Sequence, residues 1–348
     1  MSEAFHERRP GDVPLAQLGL RIAGTPLEPV LAAFERELTA AGITRVRPRY
    51  YLSTEWGVPF ETIALAIPFY LARPELAELH AERTGMIEGH DPDEILRYLR
   101  HEMGHVLNYA YRLYERPDWI ARFGAITQPY LDEYRPEPWS RRHVLHLPGW
   151  YAQKHPDEDW AETFAVWMTP GRDWRREYGD WPDALAKLEL CEAIVRETAV
   201  MDPPVTDDEL DEDIGEIEYS AEDFYRETLP GDLRLPPGVD GALRTIFLDV
   251  PRQRRDGGAA SEAADAPDAL EPAGVLIRRN ARAIARSVFT WTGHFPEATR
   301  ALLRELAARA DADALTYPAG SEPAALVALT AFVTSLAMTH VHRGTYLT

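Results

Sequence analysis

Residues 91–110 read Asp-Pro-Asp-Glu-Ile-Leu-Arg-Tyr-Leu-Arg-His-Glu-Met-Gly-His-Val-Leu-Asn-Tyr-Ala. Asp91 is a good N-cap, Pro92 suits the first helical position, and Glu94 stands three residues after the cap, so the chain enters a helix here. Ile95, Leu96, Leu99, Met103, Val106, Leu107 and Ala110 recur at helical spacing and form a stripe to be buried. The pattern predicts a helix over 91–115, stopped by Pro117. His101 and His105 lie four apart and project from one face, one turn apart. Two imidazoles so placed can grip one ion from the same side, as half of a zinc site. Glu102 flanks the pair, where a carboxylate can take a proton from a water activated at the ion and pass it to a leaving amine. Gly104 keeps the surface small where another element must approach.

With 11 histidines in 348 residues, a chance His-Glu-x-x-His is on the order of a few in a hundred. The competing reading is a helix that carries two surface histidines and a glutamate. A catalytic zinc needs three protein ligands and one open position. Residues 155–165, His-Pro-Asp-Glu-Asp-Trp-Ala-Glu-Thr-Phe-Ala, open a second helix that runs to about Met168 and is stopped by Pro170-Gly171. Glu158 and Glu162 share one of its faces, and Ala161 is small enough there for two helices to pack closely.

These two segments together resemble the gluzincin group of metallopeptidases, which have His-Glu-x-x-His on one helix and a glutamate ligand on a later one. In several branches the later helix reads Glu-x-x-Ala followed by an acidic residue or Asn, and Glu158-Asp159-Trp160-Ala161-Glu162 matches. The resemblance implies one zinc ion per chain, held by His101, His105 and Glu158. Glu102 would be the general base, and Glu162 would hydrogen-bond a ligating histidine from behind. A second register, Glu162-Thr163-Phe164-Ala165, makes Glu162 the ligand, and Asp159 is a weaker third choice. Only the first leaves an acidic residue four positions on. The stretch 91–190 also resembles a bacterial group of zinc-binding metallopeptidases with a shared Tyr-Ala-Gln-x-His-Pro-x-Glu-Asp-x-Ala-Glu-Thr-Phe-Ala segment. The catalytic domain of anthrax lethal factor is similar, more distantly, and has a tyrosine seven residues before its glutamate ligand. Tyr151 occupies that place, which implies a phenol that stabilises an oxyanion.

The resemblance implies a zincin-like catalytic domain of α+β class at 1–200 and cleavage of a peptide or protein substrate. An acidic loop and flexible linker would follow at 201–274, and a helical accessory region at 275–348, capping the domain or binding a partner. Around the motif, the pattern predicts helices at 27–41 and 182–200. It gives a short strand at 45–53 and an apolar run at 62–70 that reads as an edge strand open to an extended peptide. Asp202 to Glu218 is strongly acidic and reads as a solvated loop that could lie across the cleft. Residues 252–274 read as the linker proper, and three helices follow near 275–290, 296–310 and 322–341.

The net charge of −20, from 57 acidic and 37 basic residues, disfavours phosphate backbones and anionic lipid as partners. The one cysteine, Cys191, excludes an intrachain disulfide, and its neighbours offer no histidine base. No secretory leader and no run of about 18 apolar residues is evident, so a cytoplasmic protein without a membrane span is expected. His143, His146 and His155 precede the second helix and read as core-edge or surface histidines, one of which could line the cleft. His294, His340 and His342 lie far from the motif, and the tryptophans between 139 and 181 read as aromatic packing. Three other functions stay open: a zinc-binding module without catalysis, an amidase acting on a small molecule, and a metal-free helical interaction protein.

Overall fold

The computed structural model describes residues 10–130, 134–228, 233, 235–236, 238–249 and 269–347. It is helix-rich with small sheets, an α+β arrangement, and divides into two units, Met1–Leu229 and Pro230–Thr348. The boundary falls beyond residue 200 because the chain after it returns apolar side chains to the first unit. Ile214, Ile217, Ala221 and Tyr225 are buried in the same core as the first helix.

The first unit begins with α1 (Leu27–Ala40), which buries Leu27, Val30, Leu31, Phe34 and Leu38. Strands β1 (Arg49–Ser53) and β2 (Ala64–Pro68) pair in parallel, with Tyr51 opposite Ala66. Every residue of β2 is buried, and on its other side Ala66 N–H donates to the Gly57 carbonyl at 2.8 Å. The strand expected at 62–70 to be an open edge is therefore enclosed. Its unbroken apolar run is the mark of a strand covered on both faces, and Pro68 is tolerated because it is the last residue. Helix α2 (Pro74–Thr84) follows.

Helix α3 (Pro92–Ala110) starts as its cap dictates: Asp91 Oδ1 accepts from Glu94 N–H at 2.8 Å, and Glu94 Oε2 accepts from His90 N–H at 3.1 Å. From Tyr98 to Ala110 every residue but Arg100 is buried. Arg100 makes a two-pronged pair with Glu37 of α1, both contacts 2.8 Å. The helix ends five residues before the expected 115. Arg112 turns left-handed with φ 49°, and Tyr111 OH donates to the Met201 carbonyl at 2.9 Å.

After α4 (Pro117–Phe123), a 3-10 turn at Tyr151–Gln153 leads into α5 (Pro156–Met168). Helix α6 (Trp174–Glu177), α7 (Pro182–Thr198) and α8 (Ala221–Thr228) complete the unit. The acidic segment between α7 and α8 is tied down along its length. Val205 N–H donates to the Ala110 carbonyl at 3.1 Å, Ile63 N–H donates to the Asp207 carbonyl at 2.7 Å, and Ser53 Oγ donates to the Glu212 carbonyl at 3.0 Å. These bonds fix it to the β1–β2 layer and the end of α3, while its acidic side chains stay exposed, with Asp213 half-buried, as expected of a solvated loop.

The second unit contains α9 (Gly238–Ile246), β3 (Leu248–Asp249), β4 (Leu270–Pro272), α10 (Ala273–Thr292), α11 (Pro296–Ala312), β5 (Leu315–Pro318) and α12 (Glu322–Arg343). The three helices expected after 275 are present. The antiparallel sheet β3-β5-β4 and α9 were not expected. Most of the linker read at 252–274, up to residue 268, lies outside the described residues, whereas 269–274 form β4 and open α10. Ala319–Arg343 is long and apolar enough to cross a membrane, by length and composition, contrary to the expectation that no such segment exists. Its alanines, interspersed with Thr and Ser, conceal the run. In this unit its Ala325, Leu329, Val333, Leu336 and Ala337 enter the local core.

Candidate metal centre

Two helices meet where the sequence made both of them small. A methyl added to Gly104 would stand 2.7 Å from the Cα of Ala161, so only glycine permits this approach. The contact is locked by Trp160, whose indole N–H donates to the Gly104 carbonyl at 2.8 Å. Close approach brings the polar faces of α3 and α5 together inside the unit. Buried polar groups are costly unless partnered, and here they partner one another.

His101 Nε2 lies 3.0 Å from Glu158 Oε2, His105 Nε2 lies 3.3 Å from that oxygen, and the two Nε2 atoms are 3.2 Å apart. A tetrahedral ion with ligand bonds of about 2.0–2.1 Å spaces its ligands about 3.3 Å apart. The buried triangle of two imidazole nitrogens and one carboxylate oxygen therefore fits a metal ion both in size and in donor chemistry.

Behind the triangle each histidine faces a carboxylate. His101 Nδ1–H donates to Glu162 Oε1 at 3.0 Å, which fixes the tautomer that turns Nε2 toward Glu158. Glu162 is in turn held by the backbone N–H groups of His146 and Leu147, at 3.1 and 2.9 Å. His105 Nδ1 lies 3.1 Å from Asp157 Oδ2, close enough for charge pairing though not aligned as a hydrogen bond. Asp157 accepts from Asn108 Nδ2 at 2.6 Å and Tyr109 OH at 2.5 Å. The geometry thus puts Glu158 at the shared donor point and Glu162 behind His101. Asp159, the third choice, faces away and pairs with Lys187 Nζ at 2.5 Å.

The electrostatics follow. Burial alone would lower the pKa of His101, but Glu158 and Glu162 outweigh it and raise it to about 9. His105 is likewise driven up against burial by Asp157 and Glu158. Burial would raise Glu158, and the two histidines pull it far down instead. The carboxylates thus draw positive charge, a proton or a metal ion, to the two imidazoles, and Glu158 stays charged beside it. Glu102 is the exception: burial raises its pKa against the pull of His101 and His105, which gives it more basicity than a surface glutamate.

Tyr151 is present at the site, its ring 5.6 Å from that of His101. Burial, reinforced by Glu158, pushes its phenol far up, so it is a neutral donor. The phenol bonded to the triangle is a different one. Tyr130 OH donates to Glu158 Oε1 at 2.6 Å and lies 3.4 Å from Tyr151 OH. Tyr130 and Asp157 were not identified from the sequence. Asp157 had a usable signal, as one more acid on the ligand helix, whereas Tyr130 sits in an irregular aromatic stretch with none.

The other histidines near α5 serve the scaffold. His146 Nε2–H donates to the Arg97 carbonyl at 2.9 Å. His155 caps α5, its Nδ1 accepting from Asp157 N–H at 3.2 Å. Burial lowers His143 to about 3. No family model, no curated protein and no solved structure matches the chain.

Proposed function

We propose that the chain is a zinc-dependent peptidase of gluzincin type, with the first unit as a zincin-like catalytic domain. The observation that carries this reading is the buried donor triangle of His101, His105 and Glu158 with Glu102 beside it. The two histidines and Glu158 would hold zinc, leaving its fourth position open. Zinc, when bound, supplies Lewis acidity that eases deprotonation of water and polarises an amide carbonyl. Glu102 takes the proton of the attacking water and returns it to the leaving amine. Its raised pKa suits both halves of that exchange. Glu162 and Asp157 orient the imidazoles, and Tyr151 offers a neutral O–H donor to the developing oxyanion.

A zinc held only for structure favours four protein ligands, and it has no use for a buried glutamate whose charged form is disfavoured. That favours catalysis over a purely structural site. The test is hydrolysis of a peptide mixture by the zinc-loaded protein, followed by mass spectrometry. Glu102→Gln should lower the rate by about 10²–10⁴-fold while zinc is retained. Equal rates in the two proteins would overturn the reading.

A further inference from the structure

Of the 37 basic residues only two are lysines, Lys154 and Lys187, and both stand near the metal centre. Lys187 is committed: it is buried against Asp159 and also donates to the Arg142 carbonyl at 2.9 Å. Lys154 is not. It follows the 3-10 turn at Tyr151–Gln153, its N–H bonded to the Tyr151 carbonyl at 3.0 Å. Its Nζ stands 4.2 Å from the centre of the Tyr130 ring and 5.2 Å from that of Tyr151. These are the two phenols beside the donor triangle. Among the described residues no carboxylate lies within ion-pair distance of this ammonium. Glu55 feels its charge without reaching it.

An ammonium over two aromatic faces is held weakly and keeps its three N–H donors for a further partner. The choice of lysine is informative where arginine fills nearly every other cationic position. A guanidinium would stack flat on the rings, whereas an ammonium is a compact point charge that can turn toward a single anionic group. Glu158 and Asp157 act on the Tyr130 phenol, Glu158 and Glu102 on that of Tyr151, and Glu55 on Lys154 itself, so in these acidic surroundings the ammonium offers a substrate carboxylate a cationic partner.

We propose that Lys154 determines specificity by binding a substrate carboxylate within about three residues of the scissile bond, the reach of an extended peptide from the His101 ring to the ammonium. The inference rests on the peptidase reading and adds the substrate class: peptides with an acidic side chain, or a free C-terminus, at that place.

The experiment is digestion of two random peptide libraries, one with amidated and one with free C-termini, by zinc-loaded wild type, Lys154→Gln and Lys154→Glu. In the wild type Asp and Glu should be enriched about tenfold at one position near the cut. Enrichment should vanish in Lys154→Gln and give way to Arg and Lys in Lys154→Glu. If the carboxylate is the chain terminus, cleavage is instead confined to the free library. Cleavage with no acidic or terminal preference, or with the same preference in Lys154→Glu, overturns the inference and leaves the peptidase reading standing. If the wild type cleaves neither library, the peptidase reading fails and calorimetry decides the inference alone. Succinic monohydroxamate, which carries a carboxylate, should then bind the zinc-loaded wild type about tenfold more tightly than its neutral amide, and Lys154→Gln should bind the two equally. Equal binding by the wild type, or no binding of either probe, overturns it.

Discussion

Gly104 and Ala161 are packed so closely that the missing side chain of one is the space filled by the backbone of the other. This contact sets how far α3 lies from α5, and with it the distance from His101 and His105 to Glu158. Gly104→Ala should therefore cost about 1–3 kcal/mol of stability, as overpacking does, although alanine favours helix. It should also weaken zinc binding by displacing Glu158. Urea unfolding and a zinc titration check both effects. A variant of unchanged stability and affinity would show that the contact is slack.

The carboxylates behind the histidines act on metal affinity more than on folding. Glu162→Gln and Asp157→Asn should each weaken zinc binding about 10–100-fold, measured by competition with a chromogenic chelator, with little change in circular dichroism. If Asp157→Asn binds zinc like the wild type, the 3.1 Å approach to His105 is incidental.

Lys187 neutralises a buried acid. Burial raises the pKa of Asp159 to about 7 even with the lysine beside it. Lys187→Met leaves that carboxylate without a cation and should cost about 3–5 kcal/mol at neutral pH. In the variant the folded pKa of Asp159 rises further above its unfolded value of 3.8. The folded state then binds the proton more tightly than the unfolded chain, so stability falls as pH rises. Lys187→Met should accordingly be more stable at pH 5 than at pH 8, relative to wild type. The same deficit at both values would contradict this account.

In the second unit, His294 is buried between Thr299 Oγ1, at 2.7 Å, and Tyr346 OH, at 3.0 Å. Burial, with the nearby His340, lowers its pKa from 6.5 to about 4. A depressed histidine is protonated more readily in the unfolded chain, so its contribution is present above pH 6.5 and is lost as pH falls toward 4. Unfolding followed by fluorescence between pH 7 and 4 should show this loss in wild type and less of it in His294→Gln. An NMR titration midpoint for His294 near 6.5 would refute the assignment.

The helix that carries the motif was legible because its determinants are local. Asp91, Pro92 and Glu94 place its start, and the apolar spacing places its buried side. Its end was not, because Arg112 leaves the helix through a left-handed conformation that no proline or glycine announces. On α5 the acids at 157, 158, 159 and 162 were all visible, but successive helical residues point about 100° apart and each meets a different neighbour. Only packing against α3 and α7 sorts them into a partner of His105, a member of the donor triangle, a partner of Lys187 and a partner of His101. At the acidic segment composition gave the exposed loop but not its anchors, Ile214 and Ile217, which seat it on the core.

The central claim is that His101, His105 and Glu158 hold one zinc ion, and metal content measures it directly. Elemental analysis of the purified protein should give about one zinc per chain, retained in Glu102→Gln and lost in Glu158→Ala. Zinc absent from the wild type even after it is added back, or retained at full stoichiometry in Glu158→Ala, would contradict the account.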